Sequence, residues 1–367
     1  MKKIDVLEVY INGRKAGRLG QSRNGVYVFE YDRVFLKNGF SISPFQLPLT
    51  PGVFTAEPQP YGGLFGVFND SLPDGWGRLL IDRLLLKNKI DPGEVSLLER
   101  LSIVGKNGMG ALEYRPENNF FKGSSRIGIK EMAKEVKKVL NENYTGHIEA
   151  LVKKGGSSGG ARPKAMIRIK GEPWIVKFPN SNDNTGTGVM EYEYSLAARG
   201  CGIIMPQTKL LEKKYFAIKR FDRNGGKKVH MHTAAGLLNA DFRIPSLDYT
   251  DLMKAAMRLT GDIREVIKVY RLMVFNILSH NRDDHAKNFS FIYSDKKWSL
   301  SPAYDLTFSY GFNGQHTTTL FGQGLPGEKE ILESADVIGI KRKEAEKILS
   351  DTADAVKRLK KYIKTQG

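Results

Sequence analysis

Asp283, Asn288 and Asp305 are the residues whose types and spacing could do chemistry. Asp283 and Asn288 lie five positions apart in HNRDDHAKN, and Asp305 follows after FSFIYSDKKWSLSPAY. Two carboxylates and an amide offer oxygen ligands. That set suits Mg2+, which takes a carboxylate or two and completes its shell with substrate phosphates and water. The chemistry implied is phosphoryl transfer.

The elements around these residues should bring them together. Phe289 to Tyr293 reads as a strand, SDKK as a tight turn, and a second strand starts at Trp298. A hairpin closes its outer ends on each other, so Asn288 and Asp305 are predicted neighbours. Upstream, VIKVYRLMVFNILSH is apolar on nearly every face except at Lys268, Arg271 and Asn276. That pattern predicts a buried helix delivering the chain rigidly to His280, with Asp262 and Glu265 resembling a capping box at its start. Protein kinases use the same order of parts: an Asp that takes the substrate proton, an Asn that holds a metal, and a later metal-binding Asp. A competing reading takes His280, Asp283, Asp284 and His285 as ligands of a metal-dependent hydrolase.

A second stretch favours the kinase layout. KKGGSSGGARPKA precedes a strand in which Ala165, Ile167 and Ile169 alternate; KGEP turns, and Trp174 to Phe178 forms a second strand carrying Lys177. A lysine among apolar neighbours is costly unless it meets an anion, and an ATP phosphate fits. Kinases cover the phosphates with a Gly-rich loop and add a Lys from a nearby strand. Ser157, Ser158, Gly159, Gly160 and Lys177 are therefore candidate ATP contacts, with His285 and Lys287 from the catalytic loop. Glu191, fourteen residues beyond Lys177, opens a short helix that ends with Gly200 at C′. It is either the partner of Lys177 or a first-turn Glu favoured by the helix dipole. A hairpin (KLLEKKYFAIKRFDR) follows, and Ile218, Lys219 and Phe221 occupy the place where a kinase offers groups to adenine.

The remaining residues set bounds. Asn12-Gly13 and Asn24-Gly25 mark hairpins in a β-rich start; Pro-rich loops follow, then the turn Leu72-Pro73-Asp74-Gly75 opens an apolar helix. Nothing there looks catalytic. The 367 residues are 41% hydrophobic and carry a single cysteine, Cys201, which excludes an internal disulfide framework. No apolar run reaches the roughly 18 residues of a membrane span, and the first residues lack a signal-peptide pattern, so a cytoplasmic protein with no membrane partner is expected. The net charge of +17 favours an anionic partner. His230 and His232 read as structural, and GQHTTTLFGQG as a polar loop of unassigned role.

Taken together, SLPDGWGR, GMGAL, SSGGARPK, NRDDHAKN and PAYDL resemble the HipA-like serine/threonine kinases, the toxin halves of bacterial toxin–antitoxin pairs. The resemblance implies an α+β, two-lobed protein-kinase-like fold with a β-rich N-terminal subdomain and a mainly helical C-terminal lobe. The corresponding segments are 1–118, 119–225 with the Gly-rich loop, and 226–367. It also implies Asp283 as catalytic base, Asn288 and Asp305 as Mg2+ ligands, Lys177 on the ATP phosphates, and autophosphorylation at Ser157, with Ser158 next in line. The implied partners are a protein substrate, which in the best-known relatives is an aminoacyl-tRNA synthetase, and a HipB-like DNA-binding antitoxin through which DNA is reached. A non-enzymatic reading stands beside this: a basic co-repressor assisting that antitoxin. The C-terminal part is short for the better-known toxins.

Overall fold

The structure is a computed structural model, and it describes residues 3–118, 127–143, 146–157, 159–180, 183 and 186–364. The chain separates into two compact units. One comprises Met1–Gly188 with Leu211–Met231, the other Val189–Leu210 with His232–Gly367. Segments 1–118 and 119–225 thus share the first unit, except for Val189–Leu210.

In the first unit the alternating segments at the start form an antiparallel sheet. Its strands run in the order Val53–Thr55, Tyr27–Tyr31, Arg14–Gln21, Val6–Ile11, Leu112–Arg115. Asn12 and Gly13 both take positive φ, the conformation a two-residue hairpin turn demands. The inward face places Leu7, Val9, Leu19 and Phe29 out of contact with solvent. A second antiparallel set holds Lys164–Ile169, Glu172–Lys177 and Tyr215–Lys219, in register Ala165↔Val176↔Ala217. Helices Gly75–Lys87 and Ile148–Gly155 pack together beside it, and Trp76, Leu80, Leu151, Trp174 and Val176 share one apolar core.

GMGAL, assigned no role by sequence, seats the segment after Lys219. Asp222 is fully buried and accepts from Arg220 Nε at 2.8 Å, Arg223 Nη1 at 2.7 Å and the Gly110 amide at 2.8 Å. Arg223 also donates to the carbonyls of Gly108 and Gly110. Burial pushes the Asp222 carboxyl up, but the two guanidiniums outweigh it and hold it below the ordinary carboxylate range. Burial likewise lowers Arg223 to about 10. A carboxyl depressed in the folded state adds stability above its unfolded pKa and loses it as pH falls through the folded value. Asp222→Asn should therefore cost roughly 3 kcal/mol at neutral pH, because it strands two buried guanidiniums. The gap from wild type, followed by denaturation midpoints, should narrow below about pH 4.

In the second unit, helix Ile263–Ser279 is the centre, packed against Tyr249–Thr260 and Arg342–Val356. Its residues Val266, Val269, Tyr270, Met273, Val274 and Phe275 are wholly buried, as the all-round apolar pattern predicts. Asp262 caps it through the Arg264 amide at 2.9 Å, but the capping box does not form. Glu265 turns away to accept the Leu300 amide at 2.8 Å and pair with Lys268, bracing the hairpin instead. Helix Thr187–Gly200 also departs from expectation: Glu191 lies one turn inside it, and Gly200 remains helical. The left-handed residue is Gly202, because Ile203 bonds back to the Ala198 carbonyl only from there. Among the described residues, no helix is long and apolar enough to cross a membrane.

Candidate active site

The Gly-rich loop is built entirely within the first unit. It leaves helix Ile148–Gly155 and enters strand Lys164–Ile169. Gly160 takes φ +86°, and its amide donates to Asp74 Oδ1, while its carbonyl accepts from the Trp76 amide at 3.2 Å. The Trp76 indole donates to the Lys164 carbonyl at 3.1 Å. A Cβ on Gly75 would lie 2.5 Å from Ala161 Cα, so only glycine allows this approach. The motif that looked inert, SLPDGWGR, is thus the clamp on the loop. Ser157 Oγ donates to the Asn107 carbonyl at 2.7 Å; Ser158 lies outside the described residues.

Lys177 ends its strand half-buried, its ammonium 5.6 Å from the centre of the Phe216 ring. Directly opposite in register is Lys164, a residue that sequence reading missed. It is 8% exposed, and its ammonium donates to the Gly159 carbonyl at 2.7 Å. The available signal was its position opening a strand immediately after the Gly-rich run. Opposed residues share a face, and like charges there repel unless an anion intervenes. Of the adenine candidates, Ile218 is buried and Phe221 half-buried, while the Lys219 ammonium pairs with Glu172 at 2.9 Å.

The second cluster lies wholly in the second unit. Strands Ser290–Ser294 and Lys297–Leu300 pair with Phe291 opposite Leu300, joined by Asp295 and Lys296 at positive φ. The hairpin closes as the alternation predicts: the Ser301 amide meets the Ser290 carbonyl at 2.8 Å. The Tyr304 hydroxyl, one residue before Asp305, donates to the Lys287 carbonyl at 2.7 Å, one residue before Asn288. Asn288 Nδ2 donates to the Asp283 carbonyl at 2.7 Å, which leaves Oδ1 as its acceptor oxygen. Asp305 adopts φ +54°, a conformation a carboxylate residue tolerates better than most.

Adjacent aspartates take opposite roles. The Asp283 side chain is 64% exposed, with Oδ1 4.0 Å from His285 Nε2. Asp284 is fully buried. It accepts from the Tyr249 hydroxyl at 2.6 Å and from the Thr317 and Thr318 amides at 2.8 and 3.2 Å, and His316 Nδ1 lies 2.8 Å away. Asn276 and Asn281 extend the chain of bonds behind Tyr249. Burial and the Asp284 charge hold the Tyr249 phenol well above its ordinary value. GQHTTTLFGQG, left without a role by sequence, therefore fixes the backbone at Arg282 and Asp284. His280 ends the long helix in the left-handed region. Burial first, then the Arg282 charge, lowers its pKa.

These positions remove support from the hydrolase reading, because Asp284 is enclosed by hydrogen-bond donors. Among the described residues, no three His, Cys, Asp or Glu side chains gather as a metal-binding group. Asn288 and Asp305 are a different kind of set, an amide and a carboxylate, and suit a Mg2+ that keeps phosphate and water ligands. Thr307 Oγ1 and His285 Nδ1 are buried without a hydrogen-bond partner, as expected where a polar ligand completes the site. His285 packs 5.9 Å from the Phe242 ring, and the Lys287 ammonium lies 4.1 Å from the same ring's centre.

Comparison with known proteins assigns the two halves of the chain. Residues 156–359 match the family model for the HipA-like C-terminal domain, and residues 7–115 that for the HipA N-terminal domain. The chain belongs to the HipA family. Two Sinorhizobium fredii (strain NBRC 101917 / NGR234) proteins are similar at 25% identity. They bear the names "Putative kinase Y4dM", matching 87% of this chain and 81% of its own length, and "Putative kinase Y4mE", at 83% and 77%. The solved complex of HipA, HipB and operator DNA from Shewanella oneidensis MR-1 is 18% identical, with a TM-score of 0.70 over 96% of this chain and 90% of that one. The fold is therefore the two-lobed α+β fold of HipA.

Proposed function

We propose that this HipA family member is an ATP- and Mg2+-dependent protein Ser/Thr kinase, the toxin of a toxin–antitoxin pair. The carrying observation is the local order of the catalytic loop. An exposed Asp283 sits on a backbone pinned by buried Asp284, with Asn288 tied to Asp283 and the Asp305 segment tied to Lys287. Asp283 accepts the proton of the acceptor hydroxyl. Asn288 Oδ1 and Asp305 hold Mg2+, which when bound neutralises charge on the transferring phosphoryl group. Lys177 and the clamped Gly-rich loop hold the phosphates, and Ile218 to Phe221 meet the adenine. Positioning and charge account for most of such a rate enhancement. Incubation with γ-labelled ATP should label the chain or an added protein acceptor, and chelating Mg2+ should abolish the label. Label that survives chelation would refute the metal assignment.

Regulation follows from the loop. Phosphate on Ser157 adds about −1.5 to −2 charge and removes the bond to the Asn107 carbonyl, which should eject the loop and silence the enzyme. Ser157→Ala should keep its activity through prolonged incubation with Mg2+ and ATP while wild type decays. A variant that decays equally would move the switch to Ser158 or dismiss it. The toxin role implies a HipB-like antitoxin, through which DNA would be reached, and a cytoplasmic substrate such as an aminoacyl-tRNA synthetase. The similarity to the HipA of a HipA–HipB–operator complex supports the antitoxin, and the net charge of +17 suits a target bound to nucleic acid.

A further inference from the structure

We infer that residues 309–325, the turn-rich segment after Asp305, form the docking surface for the protein segment that carries the acceptor hydroxyl. The surface selects an apolar side chain close to that hydroxyl. This inference rests on the kinase reading above and names the substrate feature that the same site reads.

In a chain of net charge +17, SYGFNGQHTTTLFGQGL contains no Asp, Glu, Lys or Arg. It does contain large apolar side chains, and these face water: Phe312 is 79% exposed, Leu325 59%, Tyr310 52% and Phe321 37%. Apolar residues gathered in one uncharged segment mark an interaction surface, whereas scattered ones need no explanation. The segment is also held firmly. Phe312 bridges Gln315 and Leu320 bridges Gln323, closing two tight turns around Asn313-Gly314 and Phe321-Gly322, all four at positive φ. From behind, His316, Thr317 and Thr318 meet the Asp284 carboxylate, and Tyr310 stands edge-on to Phe308 at 5.0 Å. Apolar groups presented on a rigid frame bind without a large ordering cost.

Its location identifies the occupant. A Cβ on Gly311 would lie 2.8 Å from the Arg282 Cβ, and Thr317 bonds the Arg282 carbonyl through both its amide and its hydroxyl. The Ser309 amide bonds the His280 carbonyl at 3.0 Å. The segment therefore flanks the residue immediately before Asp283. Phe312 and Asp283 are each one residue from the Gly311–Arg282 contact, about 3.8 Å per step along either chain. An extended peptide whose hydroxyl reaches Asp283 lays its neighbouring side chains on these aromatics, with no charge in the segment to favour a charged neighbour.

The test uses the full-length chain, Mg2+ and labelled ATP on a degenerate peptide library with a fixed central Ser or Thr. Peptides with Leu, Ile, Met or Phe within three residues of the acceptor should be labelled about tenfold more than those with Asp, Glu or Lys there. In Tyr310→Ser/Phe312→Ser that ratio should fall to about one, and Phe312→Leu should keep it. Both side chains are largely exposed, so these variants should fold, which an unchanged thermal midpoint would verify. Label without apolar enrichment, or enrichment that the double variant retains, overturns the docking surface and leaves the kinase reading standing. A self-association that the double variant loses reassigns the surface to a second copy of the chain. Absence of label on every peptide and on full-length protein overturns the kinase reading itself.

Discussion

On the proposed role of Asp283 as general base, Asp283→Ala should lower phosphoryl transfer by about a thousandfold, within the range a positioned base contributes. Its carboxylate is exposed and packs into no core, so the variant keeps its thermal midpoint to within the roughly 0.5 kcal/mol typical of surface changes. ATP affinity should hold as well, because the base acts on the acceptor and not on the nucleotide. Asp283→Asn should be nearly as slow: an amide fits the same space but takes no proton at neutral pH. The measurement is label transferred per minute alongside nucleotide binding. Equal label in wild type and Asp283→Ala would sink the assignment, and loss of ATP binding along with transfer would recast Asp283 as a nucleotide contact.

Asp284→Ala, one residue on, should do the opposite first. It strands the buried Tyr249 hydroxyl, Thr318 amide and His316 Nδ1, and takes one of two acceptors from the half-buried Thr317 amide. At about 1–3 kcal/mol for each unsatisfied buried group, even partial relaxation leaves a loss of roughly 4–5 kcal/mol. Activity falls because the backbone under Asp283 is no longer fixed. Asp284→Asn accepts fewer of these bonds and should fall between the two. Near-UV circular dichroism and denaturation midpoints separate the cases: Asp283→Ala changes rate alone, Asp284→Ala changes both. An Asp284→Ala protein of native stability would show that the network is not what holds the loop.

The contrast shows how far sequence carries. Period and turn chemistry revealed the hairpin, the buried helix, and the two strands that carry Lys164 and Lys177, because those signals are local. Asp283 was separable from Asp284 only by the spacing of kinase parts; nothing local says which of two adjacent carboxylates faces inward. That is decided by Tyr249, Thr317 and Thr318, which lie 35, 33 and 34 residues from Asp284. Asp74 and Trp76 were read as an inert turn and helix start for the same reason, since Gly160 is 86 positions from Asp74. Glu265 had the spacing of a capping box, but a tertiary donor, the Leu300 amide, outcompeted the local bond. Long-range hydrogen bonds leave no periodic trace.

The order in which the chain visits its two units has a consequence for synthesis. It passes from the first to the second after Gly188, returns at Leu211 and leaves again after Met231. Strand Tyr215–Lys219, which pairs with Glu172–Lys177, belongs to that late return. Until it emerges from the ribosome, the strand bearing Lys177 presents an unpaired edge, and such edges invite pairing with other chains. At the usual pace of about 5–20 residues per second, the incomplete first unit waits several seconds for its missing strand. Segment Tyr215–Lys219 therefore has to be made before the strand bearing Lys177 can pair on both of its edges.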